Sequence, residues 1–357
     1  MADPDLDARA AEAERSVSGL FGGRLVGLPW THLARVEHPR QGRADVHWNY
    51  WWQAHYLDCV VDAGLRALRR GDEAGARDRA RLGDRLLGTI RLRNVGRFRN
   101  AFYDDMAWLA LAAGRLSVLH SSLGRVRPGR RLLTSERVLT AQLRSAVTDE
   151  LGGGAFWNTH RDFKNVPAGG PIALHLARIG DLEGARSLVD WMYARLLDPA
   201  TGLFLDGVRV VAGEEVAVRD VYTYNQGTVL GALLTLGDTA SRERAAALVS
   251  AVDRGLTTGD QRALVTHGGH DGGLFTGILA RYLTLAAADP AIDVETAATT
   301  RRLVTATAEA FWRGRAETPE GTRFPVDVVE PAAPTGRLEL STQLQAWMVL
   351  EAAATLG

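Results

Sequence analysis

The sequence predicts an all-α fold, a two-layered helical toroid of the (α/α)6 type, and three observations carry that expectation. Apolar residues recur at intervals of three and four over about a dozen stretches of helical length. Those stretches fall into consecutive pairs joined by short turns, as at Gly71-Asp72 and Gly180-Asp181. The connections between pairs are longer and carry glycine, aromatic and polar residues. Hairpins set in a ring leave this alternation, with short turns at one end and functional loops at the other. A superhelical repeat array is the alternative, and the units are too dissimilar in sequence to support it. No stretch reads as a linker. Residues 1–357 are expected to form one domain, with 1–40 as an N-terminal helix and loop packed on it.

Taken in order, Asp5 to Leu20 reads as an amphipathic helix. Asp45 then opens a long helical stretch to Arg70, ended by Gly71-Asp72, and Glu73 to Leu87 forms a second, closing near Gly88. The loop RNVGRFRNAFY leads into a third, strongly apolar helix in the segment Phe102 to Leu116. Leu132 to Leu151 follows, then the glycine-rich loop GGGAFWNTHRDFKNVPAGG, then a helical hairpin of Pro171 to Ile179 and Leu182 to Leu197. DPATGLFLDGV and the stretch to Arg219 read as a small β-hairpin, with Asp206-Gly207 as turn signal. Tyr222 to Leu236 with Ser241 to Leu256, and Gly272 to Ala287 with Val294 to Arg313, make two more hairpins. Leu340 to Leu356 is the last helix.

Composition excludes several classes. The 46% hydrophobic and 24% charged content is that of a globular protein, and a formal net charge of zero suggests no electrostatic grip on nucleic acid or an anionic membrane. The single cysteine, Cys59, rules out an internal disulfide framework, and its neighbours Leu57, Val60 and Val61 mark it as buried filler. The acidic N-terminus lacks the basic start and apolar run of a secretory signal. No window approaches the ~18 apolar residues of a membrane span, so the chain as given is expected to be cytoplasmic. Oligomeric state is not legible.

Chemistry concentrates in FYDDMAWLALAAGRL, where Asp104 and Asp105 stand side by side as an aromatic loop turns into an apolar helix. Acidic residues also favour first turns for capping and dipole reasons alone, so the pair gains meaning from its surroundings. The long loops carry Phe156, Trp157, Asn158, His160, Lys164 and Asn165, then Tyr222, Tyr224, Asn225 and Gln226, then His267, His270 and Asp271. Trp48, Asn49, Trp51, Trp52, Gln53 and His55 crowd the first long helix. Aromatic faces beside amide and carboxylate groups suit a polyhydroxylated ligand. His160, His267, His270 and Asp271 match no strong metal-binding spacing, and no metal or organic cofactor is expected. No phosphate-binding loop, dinucleotide fingerprint or G-x-S-x-G elbow is present.

Glycoside hydrolysis needs two carboxyl groups, ~5–5.5 Å apart in retaining enzymes and ~6.5–9.5 Å in inverting ones. Adjacent helical residues splay by ~100° yet stay close, which favours retention. Like charges so near also raise one pKa, which keeps an acid protonated near neutrality.

The strings NAFYDDMAWLALA, FWNTHRDFKNVPAGGP, YTYNQGTVLGALL and HDGGLFTGILARYL, with WWQAHYLD upstream, resemble glycoside hydrolase family 76, the α-1,6-mannanases. The matches fall in the family's order. The resemblance implies an (α/α)6 barrel and retaining hydrolysis of α-1,6-linked mannose chains, a carbohydrate substrate and no cofactor. It casts Asp104 as nucleophile and Asp105 as general acid/base. Trp157, Asn158, Tyr224, Asn225 and Asp271, with Trp52 and Tyr103, are expected at the sugar, and Lys164 and Asn165 are equally loop anchors. Bacterial members that degrade external mannan usually carry an export signal, which is not expected in the sequence as given, and fungal members are thought to transfer glycans. The rival readings are another toroid activity (unsaturated-uronide hydrolysis, epimerisation, transglycosylation) and a catalytically silent glycan-binding protein.

Overall fold

The computed structural model describes residues 4–39, 48–125 and 127–357. Helix α1 (Pro4–Phe21) precedes five hairpins, each an inner helix followed by an outer one. These are α2 (Tyr50–Arg69) with α3 (Glu73–Arg93), α4 (Tyr103–Ser122) with α5 (Arg130–Ala146), and α6 (Val166–Arg178) with α7 (Leu182–Arg195). Then come α8 (Thr223–Leu236) with α9 (Thr239–Gly255), and α10 (Phe275–Ala288) with α11 (Val294–Arg313). The last, α12 (Leu340–Leu356), packs between α10 and α2 and closes the inner ring of even-numbered helices. Helix α1 fills the remaining outer position, against α12. This is the (α/α)6 toroid. Among the described residues no helix is long and apolar enough to cross a membrane.

The two layers differ as their sequences do. Inner helices are apolar almost all round, and α12 is buried from Leu340 through Ala354. Outer helices bury one stripe, in α3 Ala76, Ala80, Leu87 and Ile90. Two glycines let inner backbones approach. A Cβ at Gly227 of α8 would stand 2.9 Å from the Leu279 Cα of α10, and one at Gly277 of α10 would stand 3.0 Å from the Gln345 Cα of α12.

Each end of the ring has its own repeated device. At the short-turn end Gly71, Gly180 and Gly237 adopt φ of 75°, 87° and 69°, a left-handed conformation that glycine takes without strain. The aspartate after each caps an outer helix: Asp72 accepts from Gly75 N at 2.8 Å, Asp181 from Gly184 N at 3.1 Å and Asp238 from Ser241 N at 3.0 Å. At the long-loop end, the fourth residue of three inner helices is a buried glutamine that clasps the arriving chain as a strand partner would. Gln53 of α2 bonds both N–H and C=O of Ala34, Gln226 of α8 those of Phe204, and Gln343 of α12 those of Phe324, at 2.8–3.0 Å. Part of the loops' amide content is therefore structural.

Several boundaries differ from the sequence expectation. Helix α2 starts at Tyr50, because Asn49 is extended and caps it; the expected start at Asp45 lies outside the described residues. Helix α3 runs through Gly88 to Arg93, α4 runs past Leu116 to Ser122, and α5 ends at Ala146. Helix α6 begins at Val166, capped by Asn165, and carries Pro171 inside it at the loss of one intrahelical bond. Strands β1 (Phe163–Asn165), β2 (Gly207–Val211) and β3 (Glu214–Val218) form an antiparallel sheet in the order β1-β2-β3. Its hairpin turns at Ala212-Gly213, with φ of 53° and 87°, and not at Asp206-Gly207. Asp206 is thereby left beside the long-loop mouth.

Candidate active site

All inner helices run the same way, so their N-termini converge on the long-loop mouth with the positive ends of their dipoles. There a cavity of about 420 Å³ opens. Trp51, Trp108, Tyr224 and Phe275 pave it: Tyr224 stacks on Phe275 with centroids 3.8 Å apart and planes 9° apart, and the Trp108 ring lies 6.4 Å from Tyr224. Phe102, Trp157 and Phe163 form a second aromatic wall, with Phe102 and Trp157 5.1 Å apart. Asp104, Asp105, Asp206 and Asp271 supply carboxylates to the lining, and Arg209 a cation.

Asp104 and Asp105 occupy the first turn of α4, where the dipole favours anions. The Trp157 loop is clipped to the chain entering that helix: Tyr103 N donates to Trp157 O at 2.8 Å, and Thr159 N to Ala101 O at 2.9 Å. The clip aims the Trp157 indole, whose Nε1 donates to Asp104 Oδ2 at 2.9 Å. The other oxygen, Oδ1, is buried without a protein partner. Asp105 Oδ2 accepts from Asn100 Nδ2 at 2.6 Å.

These environments raise both acids. Enclosure pushes Asp104 up to about 7, against the lowering effect of the Trp157 and backbone N–H bonds, while the charge of Asp271 adds to the rise. Asp105 goes well above the carboxylate range, first through enclosure and then through the negative charge of Asp104, with the Asn100 bond opposing. Both carboxyls thus lie above their ordinary range, and ionisation of one member of the pair keeps the other protonated.

The remaining expected residues divide. Trp157, Tyr224 and Asp271 line the cavity with the Asp pair, whereas Trp52, Tyr103, Asn158 and Asn225 are buried and do not. Trp52 donates its indole N–H to Asp271 Oδ1 at 2.9 Å, as Trp51 does at 3.0 Å. Asn225 donates to Asp206 Oδ1 at 3.1 Å. Asn158 shapes its own loop by accepting from His160 N at 2.8 Å, and Tyr103 contributes the backbone clip. Lys164 is wholly buried, donating to Thr148 O at 3.0 Å and Gly153 O at 2.6 Å, which makes it a loop anchor. Asn165 both caps α6 and lines the cavity.

Three residues escaped the sequence reading. Asp206, read as part of a turn, is raised to about 6 by burial, opposed by its Asn225 bond. Arg209 and Asn100 each lie beside a site carboxylate in sequence or space, a signal too weak to single them out. Among the described residues no cluster of three His, Cys, Asp or Glu has the arrangement of a metal site.

The family model described as Glycosyl hydrolase family 76 matches residues 35–356. An α-1,6-mannanase from Salegentibacter sp. HEL1_6 shares 29% identity and a TM-score of 0.85, the match covering 99% of this chain and 100% of that one. An inactive variant of that enzyme, with two consecutive aspartates replaced by asparagine, has been solved with α-1,6-mannotriose and matches over the same extent. A Listeria innocua protein shares the fold at 23% identity, with a TM-score of 0.81 and coverage of 98% and 97%. No curated protein matches the chain.

Proposed function

The chain belongs to glycosyl hydrolase family 76, and we propose that within it this protein is a retaining hydrolase of α-1,6-linked mannosides. The observation that carries the proposal is the pairing of Asp104 and Asp105 in one aromatic cavity, with different hydrogen-bond donors and with both proton affinities raised.

Asp104, whose anion the Trp157 N–H bonds, attacks the anomeric carbon. As that bond forms, the glycosidic C–O bond breaks, and Asp105 passes its proton to the leaving oxygen. Asp105, now a carboxylate, then takes a proton from water, which attacks the same carbon and releases Asp104 from the glycosyl ester. The Trp157 N–H bonds Asp104 whenever it is anionic, and the converging helix dipoles favour negative charge at the mouth. Trp51, Trp108, Tyr224 and Phe275 offer faces on which sugar rings stack. Asp271, pinned by two indoles, and Asp206, held by Asn225, offer acceptors for hydroxyl groups.

Incubation with linear α-1,6-mannan, followed by chromatography and anomeric proton NMR, tests the reading. Mannooligosaccharides released first as the α-anomer are expected. Release first as the β-anomer would overturn retention, and binding without cleavage would overturn hydrolysis.

A further inference from the structure

On the cleft side of the ring, two loop tips project apolar side chains into solvent. Val26 and Trp30 of the loop after α1 are 77% and 82% exposed, and Val95, just beyond α3, is 85% exposed. Leu28, in the first of these loops, and Leu92, near the end of α3, are each about half exposed. All three tip residues have left-handed backbone, with φ of 42° at Val26, 65° at Trp30 and 53° at Val95, a conformation that strains a β-branched side chain. The first loop is braced internally: Leu25 N donates to Thr31 Oγ1 at 3.1 Å, and that hydroxyl donates to Leu28 O at 2.6 Å. It is tied to the end of α3 by His32 N donating to Thr89 Oγ1 at 3.0 Å. The apolar tips are therefore held outward by a fixed framework.

Arginines flank these tips. Between the loop after α3 and helix α5 lies a cavity of about 440 Å³ lined by Arg91, Arg97, Arg99 and Arg137 and by no carboxylate. Arg24, Arg97, Arg99 and Arg137 make no ion pair or side-chain hydrogen bond among the described residues. The same loop continues to Asn100, the partner of Asp105, so the patch adjoins the cleft. A net charge of zero conceals this local excess of positive charge.

We infer that this patch docks the protein on an anionic lipid bilayer, bringing the cleft to the membrane surface. Convex tips of tryptophan and aliphatic side chains suit insertion among acyl chains, whereas a peptide or small ligand is received by a concave apolar groove. Arginines around such tips meet the negative headgroups. The two sets of residues contribute separately, the tips through burial and the arginines through a charge attraction that salt screens.

Flotation of the full chain with vesicles tests this. Binding is expected to vesicles of phosphatidylcholine with phosphatidylglycerol, to weaken with added salt, and to be far weaker on phosphatidylcholine alone. Arg97→Gln with Arg137→Gln is expected to weaken it roughly 25-fold, about fivefold per arginine. Trp30→Ser with Val95→Ser is expected to weaken it at least about tenfold. Unchanged thermal unfolding would show that both variants still fold. No flotation of the wild type, equal binding to both vesicle types, or full binding by the Trp30→Ser, Val95→Ser variant would overturn the inference. So would retention on a soluble acidic polymer such as heparin without flotation. The readout is binding alone, so its failure is distinct from failure of the glycosidase assay.

Discussion

The inner ring holds two pairs of acidic residues, and it treats them in opposite ways. Asp104 and Asp105, at the mouth, meet an indole and an amide. Asp58 and Asp62, more than two turns into α2, meet guanidinium groups: Arg281 reaches Asp58 at 2.9 Å and Asp62 at 2.5 Å, and Arg115 bonds both. Burial raises Asp58, yet Arg115 and Arg281 outweigh it and hold the carboxyl below its ordinary range. At the mouth nothing outweighs enclosure, and both acids go up. The fold can neutralise a buried acid fully, and at the mouth it does not. A reactive carboxyl must be able to give up and regain its proton, and a tight cation would forbid that.

The same substitution made in both regions should break or sharpen this contrast. Asp104→Asn is expected to cost on the order of 10⁴ to 10⁶ in kcat on α-1,6-mannan, as loss of a nucleophile does. Asp105→Asn should cost about 10² to 10⁴, the usual range for a general acid. Full activity in either variant would undo the assignment. Asp58→Asn should instead strike stability, by about 3–5 kcal/mol, because it leaves Arg115 and Arg281 underpaired in the interior. Denaturant unfolding checks this, and a neutral result would mean that the pairing has no structural weight.

Stability should move the other way at the mouth. Asp104 and Asp105 have folded pKa values above the unfolded value of about 4, so the folded state binds more protons than the unfolded one between those limits. Stability therefore falls as pH rises from about 4 through 7, and Asp104→Asn should recover a few kcal/mol at pH 8 and nothing at pH 4. Melting temperatures at the two pH values decide it. The smallest effect is expected from Trp157→Phe, which removes one hydrogen bond to Asp104. Without it Asp104 ionises at higher pH, the acid limb of kcat/KM moves up, and activity at pH 6 falls about tenfold. An unmoved limb would show that the indole does not stabilise the anion.

The contrast also explains what the sequence could and could not reveal. Asp104, Asp105 and Trp157 were legible because each lies in a short string whose local chemistry is unusual. Hairpin pairing was legible because periodicity and Gly-Asp turns are local. The roles of Trp52 and Asn225 were not, since each acts through a carboxylate brought near by folding: Asp271 is 219 residues from Trp52, and Asp206 is 19 from Asn225. Gln226, one of the amides that crowd the long loops, is consumed by the backbone of Phe204. Asp206 carried a turn signal that Ala212-Gly213 satisfies. Sequence reports which groups are present, whereas packing decides which remain free.

The position of α1 has a consequence for synthesis. Its contacts join distant parts of the chain: Arg9 pairs with Glu309 at 2.7 Å, the Ser16 hydroxyl accepts from Thr322 N at 2.9 Å, and Glu14 shares Arg66 with Glu351. At ordinary elongation rates α1 leaves the ribosome roughly 20 to 70 seconds before α12 exists to receive it. Through that interval α1 has α2 beside it but not α12, the helix against which it chiefly packs. The ring therefore has a seam, and the seam closes last. A circular permutant joining α12 to α1 would turn that seam into a sixth local hairpin and let the wall be built in the order it is translated.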